Sequence, residues 1–190
     1  MAFTERSRAS REAVLGAARR TFAERGYERT TVRLVAADAG VDPSMVIRYF
    51  GSKDGLFAAA MQVDLRLPEL AEVPADCRGE VLAWHFLELW EGEQTGEVLV
   101  VLLRSATTND VAAARLREVF AGQVVALVAG LDPALPAPEV ARRAGLISTQ
   151  MLGTALTRYV LCLPPVVELT REEVVAALAP NLQSLLASTR

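Results

Sequence analysis

Apolar residues recur every three or four positions along almost the whole chain, and this helical spacing constrains the fold more than any other feature. Val14, Leu15, Ala18 and Phe22 form one such stripe, which Gly26 closes. No segment shows the alternating pattern of a strand. Hydrophobic residues make up 52% of the 190 residues but aromatic residues only 6%, so Ala, Leu and Val, which suit packed helices, supply the core. The sequence therefore predicts an all-α fold of about nine helices.

Residues typical of helix ends divide the first 60 positions into four helices. Thr30 or Thr31 caps the second helix, Gly40 ends it, Asp42 caps the third and Ser52 caps the fourth. Two helices joined by a short turn with glycine form a helix-turn-helix, and the preceding helix completes a three-helix head.

The helices predicted beyond position 67 form a body. They cover residues 78–90, 97–107, a segment from 110 onward, 138–161 and a last helix that Thr170 and Glu173 open with a capping box. Pro180 is predicted to kink or break that last helix, because proline removes an intrahelical hydrogen bond.

Charge is distributed unevenly between head and body. The net charge is −3, but residues 1–60 hold ten Arg/Lys against seven Asp/Glu (+3), and residues 61–190 hold ten against sixteen (−6). A basic head on an acidic body suggests that one end meets a polyanion. We predict a helix-turn-helix DNA-binding domain over 1–55 and a ligand-binding and dimerisation domain over 56–190.

Chemistry-bearing residues are few. One histidine, no Walker A loop, no G-x-S-x-G elbow and two distant cysteines predict neither an enzyme nor a metal or cofactor site. Cys77 and Cys162 are predicted as small core residues in a reducing cytosol. The polar start predicts no signal peptide, and the longest apolar run, Val98 to Leu103, is too short to span a membrane. The expected location is cytoplasmic.

The segment from Ala13 to Leu56 resembles the DNA-binding domain of the tetracycline-repressor (TetR) family of bacterial regulators. The residues that carry the resemblance are Ala17-Ala18, Phe22, Gly26-Tyr27, Thr31-Val32, Ala36, Ala39-Gly40-Val41, Tyr49-Phe50, Ser52-Lys53 and Leu56. The resemblance implies a homodimeric transcriptional repressor that binds a palindromic operator in double-stranded DNA and leaves it when a small-molecule effector binds the body. The chain departs from the family pattern at two positions: Ser44 replaces the usual glycine, and Ile47 replaces the usual tyrosine.

The candidate DNA-binding residues lie at the second, third and fourth helices of the head. They are Thr31, Arg33, Pro43, Ser44, Met45, Arg48, Tyr49 and Lys53. By resemblance Lys53 grips a phosphate. Thr31 caps its helix, contacts phosphate, or both, and Arg33 reaches a guanine edge or a phosphate.

The third helix carries most of the remaining candidates. Its first turn, Pro43 to Met45, meets base edges in this motif, with Ser44 able to donate or accept and the other two offering apolar contact to thymine methyls. Arg48 is its charged candidate for a phosphate. Tyr49 either stacks inside the head or donates to a phosphate.

Two further sets of candidates lie in the body. Polar and aromatic groups on otherwise apolar helices suggest a ligand pocket with Trp84, His85, Arg104, Gln123 and Gln150. The long helix is apolar on two faces, so one face suggests a dimer seam with Leu146, Gly153, Leu156, Val160, Leu178 and Leu182. The alternative for each side chain is an ordinary core or solvent-facing position.

Two other classes of function stay open. The missing tyrosine at Ile47 and the acidic body fit a ligand-binding helical protein that has lost specific DNA binding. An all-α enzyme would have to depend on His85, the one histidine of the chain.

Overall fold

The computed structural model describes residues 5–187, except for the side chains of residues 5, 6, 93 and 94. Over this range the chain is helical and contains no strand. The helices of the head are α1 (Glu5–Arg29), α2 (Val32–Asp38), α3 (Pro43–Phe50) and α4 (Lys53–Ala60). The later helices are α5 (Arg78–Glu91), α6 (Glu93–Ala106), α7 (Asp110–Val119), α8 (Val125–Leu131), α9 (Ala137–Ala155), α10 (Pro164–Val167) and α11 (Arg171–Leu186).

The prediction of an all-α fold with about nine helices is confirmed. A π-helical turn, Phe120–Val124, joins α7 to α8 without a break, so the described residues form ten continuous helices. The additional one is α10, a single turn in a segment that the prolines mark as a loop. A second π-helical turn, Leu156–Val160, continues α9.

The caps predicted for α2, α3 and α4 are present. The side chains of Thr31, Asp42 and Ser52 each accept a hydrogen bond from a backbone N–H two or three residues further on, at 2.8–3.2 Å. Gly26 interrupts α1 at φ 72°, and Gly40 ends the α2 region at φ 65°. Both conformations favour glycine because it has no Cβ. Local sequence thus determines where these helices begin and end.

The chain divides into two compact units. The first contains residues up to 63 together with 97–116, and the second contains 64–96 together with 117 onward. The predicted functional boundary between 55 and 56 falls inside α4 and stays a prediction, because compact packing does not test which residues carry which function.

An aromatic core fixes the head helices in the first unit. The ring of Phe22 on α1 meets the ring of Phe57 on α4 edge-on at 4.9 Å, and both side chains are fully buried. Val35 of α2 and Val46 of α3 are buried as well, while Arg19 donates to the Ala60 carbonyl at 3.1 Å. α2 and α3 are therefore held at fixed positions on α1 and α4.

In the second unit α5 packs along α11. Gly79 permits the close approach: a Cβ added there would lie 2.4 Å from the Ala179 carbonyl oxygen. Gln183 accepts from the Gly79 N–H at 2.8 Å and donates to the Ala75 carbonyl at 2.6 Å. Leu182 is fully buried in this unit.

Two expectations are wrong. Pro180 does not break α11, which runs from Arg171 to Leu186, and its ring lies on the exposed side. Cys77 and Cys162 are exposed rather than core residues. Cys77 directly precedes α5, and Cys162 lies in a turn with φ 50°, so neither position faces the core.

Candidate nucleic-acid interface

α2 and α3 form a compact helix-turn-helix. The turn between them includes Gly40, and the Val41 N–H donates back to the Ala36 carbonyl at 3.0 Å. Ala36 and Val46 are buried on the inner sides of the two helices. One side of each helix is thus fixed in the head, and the other side faces solvent.

The outer face of α3 is formed by four exposed residues, namely Pro43, Ser44, Ile47 and Arg48. Their spacing places them along one side of the helix. Met45 is half-buried, so the structure turns it further from solvent than Ile47, which is 46% exposed.

Asp42 caps the first turn of α3 by a hydrogen bond with Ser44, a contact that was not predicted for Ser44 from the sequence. The Ser44 N–H donates to Asp42 Oδ1 at 2.8 Å. Hydrogen bonding with Ser44 lowers the pKa of Asp42 below its usual value. Ser44 is therefore engaged with its neighbour in the isolated chain.

Tyr49 lies within the head. Its hydroxyl is 3.3 Å from Ser7 Oγ, and its ring meets that of Phe50 edge-on at 6.2 Å. The hydrogen bond from Ser7 lowers the pKa of Tyr49. The guanidinium of Arg48 lies 5.4 Å from the centre of the Tyr49 ring. Of the two roles considered for Tyr49, this geometry matches stacking inside the head.

Lys53 and Thr31 both have contacts within the head. Lys53 Nζ lies 4.2 Å from the centre of the Tyr27 ring and donates to the Glu28 carbonyl at 3.3 Å. The Tyr27 hydroxyl donates to Asp54, and burial followed by this contact raises the pKa of Tyr27 to about 12. Thr31 caps α2, whereas Arg33 is exposed on α2.

The predicted pocket residues of the body lie at separate places. His85 Nε2 lies 2.8 Å from the Leu65 carbonyl, and Gln123 Oε1 accepts from the Leu65 N–H at 2.7 Å. These two side chains therefore meet at Leu65, a residue that sequence reasoning did not single out. Trp84 is half-buried on α5, and Arg104 is exposed in the first unit.

Gln150 lies instead in an open groove between α9 and α11 of about 420 Å³. Two predicted seam residues, Gly153 and Leu178, line the same groove. Its threonines, at 149, 154 and 157, donate their hydroxyls to carbonyls four residues earlier at 2.9 Å, so their methyl groups dominate the surface.

The other predicted seam residues differ in exposure. Leu146 is 40% exposed, and Leu156 and Val160 are partly buried in the π-helical turn. Leu178 and Leu182 are buried by their own chain, at 6% and 0% exposed. They contribute to the core of the second unit, since the apolar stripe of α11 packs along α5.

A cluster of polar and aromatic side chains lies at the end of α5. Glu91 accepts from the Tyr159 hydroxyl at 3.1 Å and pairs with Arg171 at 3.2 Å and Arg158 at 3.7 Å. The rings of Trp90 and Tyr159 stack at 5.6 Å. No sequence pattern indicates these contacts, because they join residues that are far apart in the chain.

A helix-turn-helix head followed by a helical body defines a class of DNA-binding regulator, and comparison with known proteins identifies the family. A family described as "Bacterial regulatory proteins, tetR family" matches residues 14–60, and one described as "Tetracyclin repressor-like, C-terminal domain" matches residues 76–186. The chain belongs to the TetR family.

Individual relatives agree with this assignment. A TetR-family regulator from Streptomyces coelicolor has a solved structure with a TM-score of 0.66 and 30% identity, over 93% of this chain and 94% of that one. GusR of Salmonella enterica shares the fold, with a TM-score of 0.69 at 19% identity over 94% and 95%. The transcriptional repressor AcnR of Corynebacterium glutamicum is 39% identical over 67 residues, which is 35% of each chain. The match thus spans about a third of that curated relative.

The described residues contain neither a helix that could span a membrane nor a group of possible metal ligands. None of their helices combines the length and hydrophobicity that a membrane span requires. No three His, Cys, Asp or Glu side chains in the part of the chain that the structure describes lie where they could hold a metal ion.

Proposed function

We propose that the chain is a DNA-binding transcriptional regulator, a homodimeric repressor that a small-molecule effector releases from a palindromic operator. The observation that carries the proposal is the outer face of α3, which presents Ile47 and Arg48 to solvent on a head with a net charge of +3. The role is one of binding and release in the cytoplasm, with no enzymatic step, metal or cofactor.

In this proposal α3 enters the major groove, and Arg33, Arg48 and Lys53 neutralise backbone phosphates. Lys53 would move from the Glu28 carbonyl to a phosphate, which requires only the rotation of a flexible side chain because the existing contact is exposed. Thr31, Ser44, Met45, Pro43 and Tyr49 stay candidates for contacts at the edge of this surface.

The test is a titration of the purified protein against the DNA upstream of its own gene, with random DNA as competitor. Selective binding supports the proposal, and Lys53→Ala should weaken binding to all sequences alike, whereas changes at Ser44 should alter sequence preference. Equal binding to both DNAs would contradict it. A complete absence of binding at low salt would instead favour the ligand-binding protein without DNA recognition.

The homodimer seam that we propose lies on the outer side of α9 and α11. Leu146 and Gly153 supply the α9 side, with Leu156 and Val160 continuing it through the π-helical turn. Because Leu178 and Leu182 point toward the core, the α11 side is instead formed by exposed residues that are mostly small: Ala177, Pro180, Asn181 and Ser184. The groove lined by Thr methyl groups runs between the two helices and would receive the partner.

Gly153→Arg tests this placement sharply. A Cβ at Gly153 meets nothing within 4 Å, so the arginine should disturb a partner subunit but not its own chain. Gly130→Arg is the matched control, since a Cβ there is also unobstructed and α8 lies outside the proposed seam. Gly153→Arg should yield monomers by light scattering while Gly130→Arg leaves the mass unchanged. Identical masses for the two variants would refute the seam.

Effector binding is proposed near the side chains that meet at Leu65. His85 and Gln123 hold the two sides of that residue's backbone, so a ligand that displaced either would free the segment that follows α4. Release of DNA would then follow from higher ligand affinity for one conformation of the body. Trp84, Arg104 and Gln150 stay predictions from the sequence and take no part in this proposal.

The dialysable small-molecule fraction of a host cell extract can serve as the probe for this step. It should release wild-type protein from its operator and fail to release His85→Ala or Gln123→Ala, with operator affinity retained in both variants. Equal release of all three proteins would remove Leu65 and its two partners from the effector site.

A further inference from the structure

The outer face of α3 contains an exposed isoleucine at its middle. Ile47 is 46% exposed, while its helix neighbours Val46 and Tyr49 are turned toward the head. Arg48 follows it directly, and Ser44 lies one turn earlier on the same side. A single exposed apolar side chain is unremarkable on a protein surface, so its meaning depends on what this surface meets.

The neighbours of Ile47 differ from it in chemistry or in exposure. The Ser44 backbone N–H donates to Asp42, Met45 is half-buried, and the Arg48 guanidinium lies beside the Tyr49 ring. Ile47 is thus the large side chain that projects from the middle of the face without a polar partner to satisfy.

The chemistry of an isoleucine restricts what it can recognise. It neither donates nor accepts hydrogen bonds, and the one apolar group that a base edge presents in the major groove is the C5-methyl of thymine. Opposite any other base edge, Ile47 would leave a donor or acceptor without its water and without a partner. Its β-branched side chain has one strongly preferred χ1 rotamer in a helix, so little conformational freedom is lost on contact.

We propose that Ile47 is a specificity-determining residue that packs on a thymine methyl group, so that each operator half-site contains an A·T pair opposite it. The inference rests on the proposed function, because it requires α3 to enter the major groove. Under this proposal, the replacement of the family's usual tyrosine by Ile47 does more than remove a contact: it gives the protein a preference for one base.

Deoxyuridine isolates this contact, because it differs from thymidine only by the missing C5-methyl and pairs with adenine in the same way. An operator selected from random double-stranded DNA would be remade with deoxyuridine at each thymine in turn. For the wild-type protein, one position in each half-site should show an affinity loss of about fourfold, the factor expected for withdrawing one buried methyl group.

Variants assign the effect to a residue. Ile47→Ala should bind the thymine and deoxyuridine operators equally, and its thermal unfolding should match that of the wild type because the side chain is exposed. Leu34→Ala is the matched control: Leu34 is 37% exposed in the same head but lies on α2, so this variant should keep the wild-type discrimination.

The outcomes separate this inference from the proposed function. Failure of the wild-type protein to select any DNA sequence would contradict the proposed function itself. Selection of a sequence with no thymine sensitive to deoxyuridine, or a sensitivity that Ile47→Ala retains, would overturn the role of Ile47 and leave the regulator intact. Because the wild-type measurement needs no variant, the absence of any deoxyuridine-sensitive thymine overturns the inference even if Ile47→Ala binds DNA too weakly to measure.

Discussion

Arg33 and Arg48 lie exposed on the head, whereas Arg143 and Arg158 of the second unit have side chains only 7% and 12% exposed. Arg143 donates to Glu139 and to the Ala187 carbonyl, both at 2.7 Å. Arg158 donates to three backbone carbonyls around the end of α10 at 2.6–3.3 Å. Arginine therefore has two roles in this chain: exposed arginines are available to bind a polyanion, and enclosed arginines hold helices together.

This difference explains why net charge alone describes the two regions poorly. The head has a surplus of only +3, but two of its cations stand on the outer sides of α2 and α3. In the second unit, Arg143 and Arg158 form contacts inside the fold instead. What matters for nucleic-acid binding is thus which cations remain exposed, and the following substitutions test that distinction.

The largest expected effect comes from comparing a buried leucine with an exposed one. Leu182→Ala should lower the free energy of unfolding by about 2–5 kcal/mol, because it opens a cavity at a fully buried side chain. Leu146→Ala, at a side chain 40% exposed, should change it by less than about 0.5 kcal/mol in the monomer. Urea unfolding at one fixed low protein concentration measures both. Similar losses in the two variants would show that α9 and α11 do not divide into inner and outer faces as described.

The next effect compares an enclosed arginine with an exposed one. Arg158→Ala removes several charge-assisted hydrogen bonds and should destabilise the chain by about 2–3 kcal/mol. Arg48→Ala should leave stability within about 0.5 kcal/mol but should lower DNA affinity and reduce the slope of log affinity against log salt by about one. Urea unfolding and DNA titrations over a salt series check the pair. The comparison fails if Arg48→Ala destabilises the chain as much as Arg158→Ala.

Local signals made the head predictable. Thr31, Asp42 and Ser52 cap helices through contacts two or three residues away, and such contacts can be read directly from the sequence. The same holds for the capping box of Thr170 and Glu173 on α11. For the candidate DNA surface, the sequence predicted α3 as the contacting helix, but the orientation of Met45 relative to Ile47 depends on how α3 packs.

The packing of the second unit was less predictable because it depends on contacts between residues that are far apart in the sequence. An apolar stripe on α11 does not reveal whether Leu182 faces its own chain or a partner, and only packing along α5 settles that. Pro180 lies on the exposed side of α11, so the tertiary contacts of the buried side keep the helix continuous. The meeting of His85 and Gln123 at Leu65 likewise joins residues that no motif connects.

The three tyrosines offer the smallest effect and compare the regions directly. Burial and then Glu91 raise the pKa of Tyr159 to about 12, and burial and then Asp54 raise that of Tyr27 to about 12. The pKa of Tyr49 is lowered by its hydrogen bond with Ser7. Ultraviolet titration should therefore show one tyrosine ionising below pH 10 and two near pH 12. Tyr49→Phe should remove only the first step.

The ionisation of Tyr159 also makes the free energy of unfolding depend on pH. Because the folded pKa of Tyr159 exceeds its ordinary value of 10, the folded chain retains this proton longer than the unfolded chain does. The resulting contribution is complete below pH 10 and is lost as pH rises from 10 toward 12. Glu91→Gln should move the ionisation of Tyr159 to lower pH and leave that of Tyr27 in place, since the two hydroxyls meet different carboxylates. If the pKa values of both tyrosines shifted, or if neither did, the two tyrosines would not depend on separate carboxylates as described.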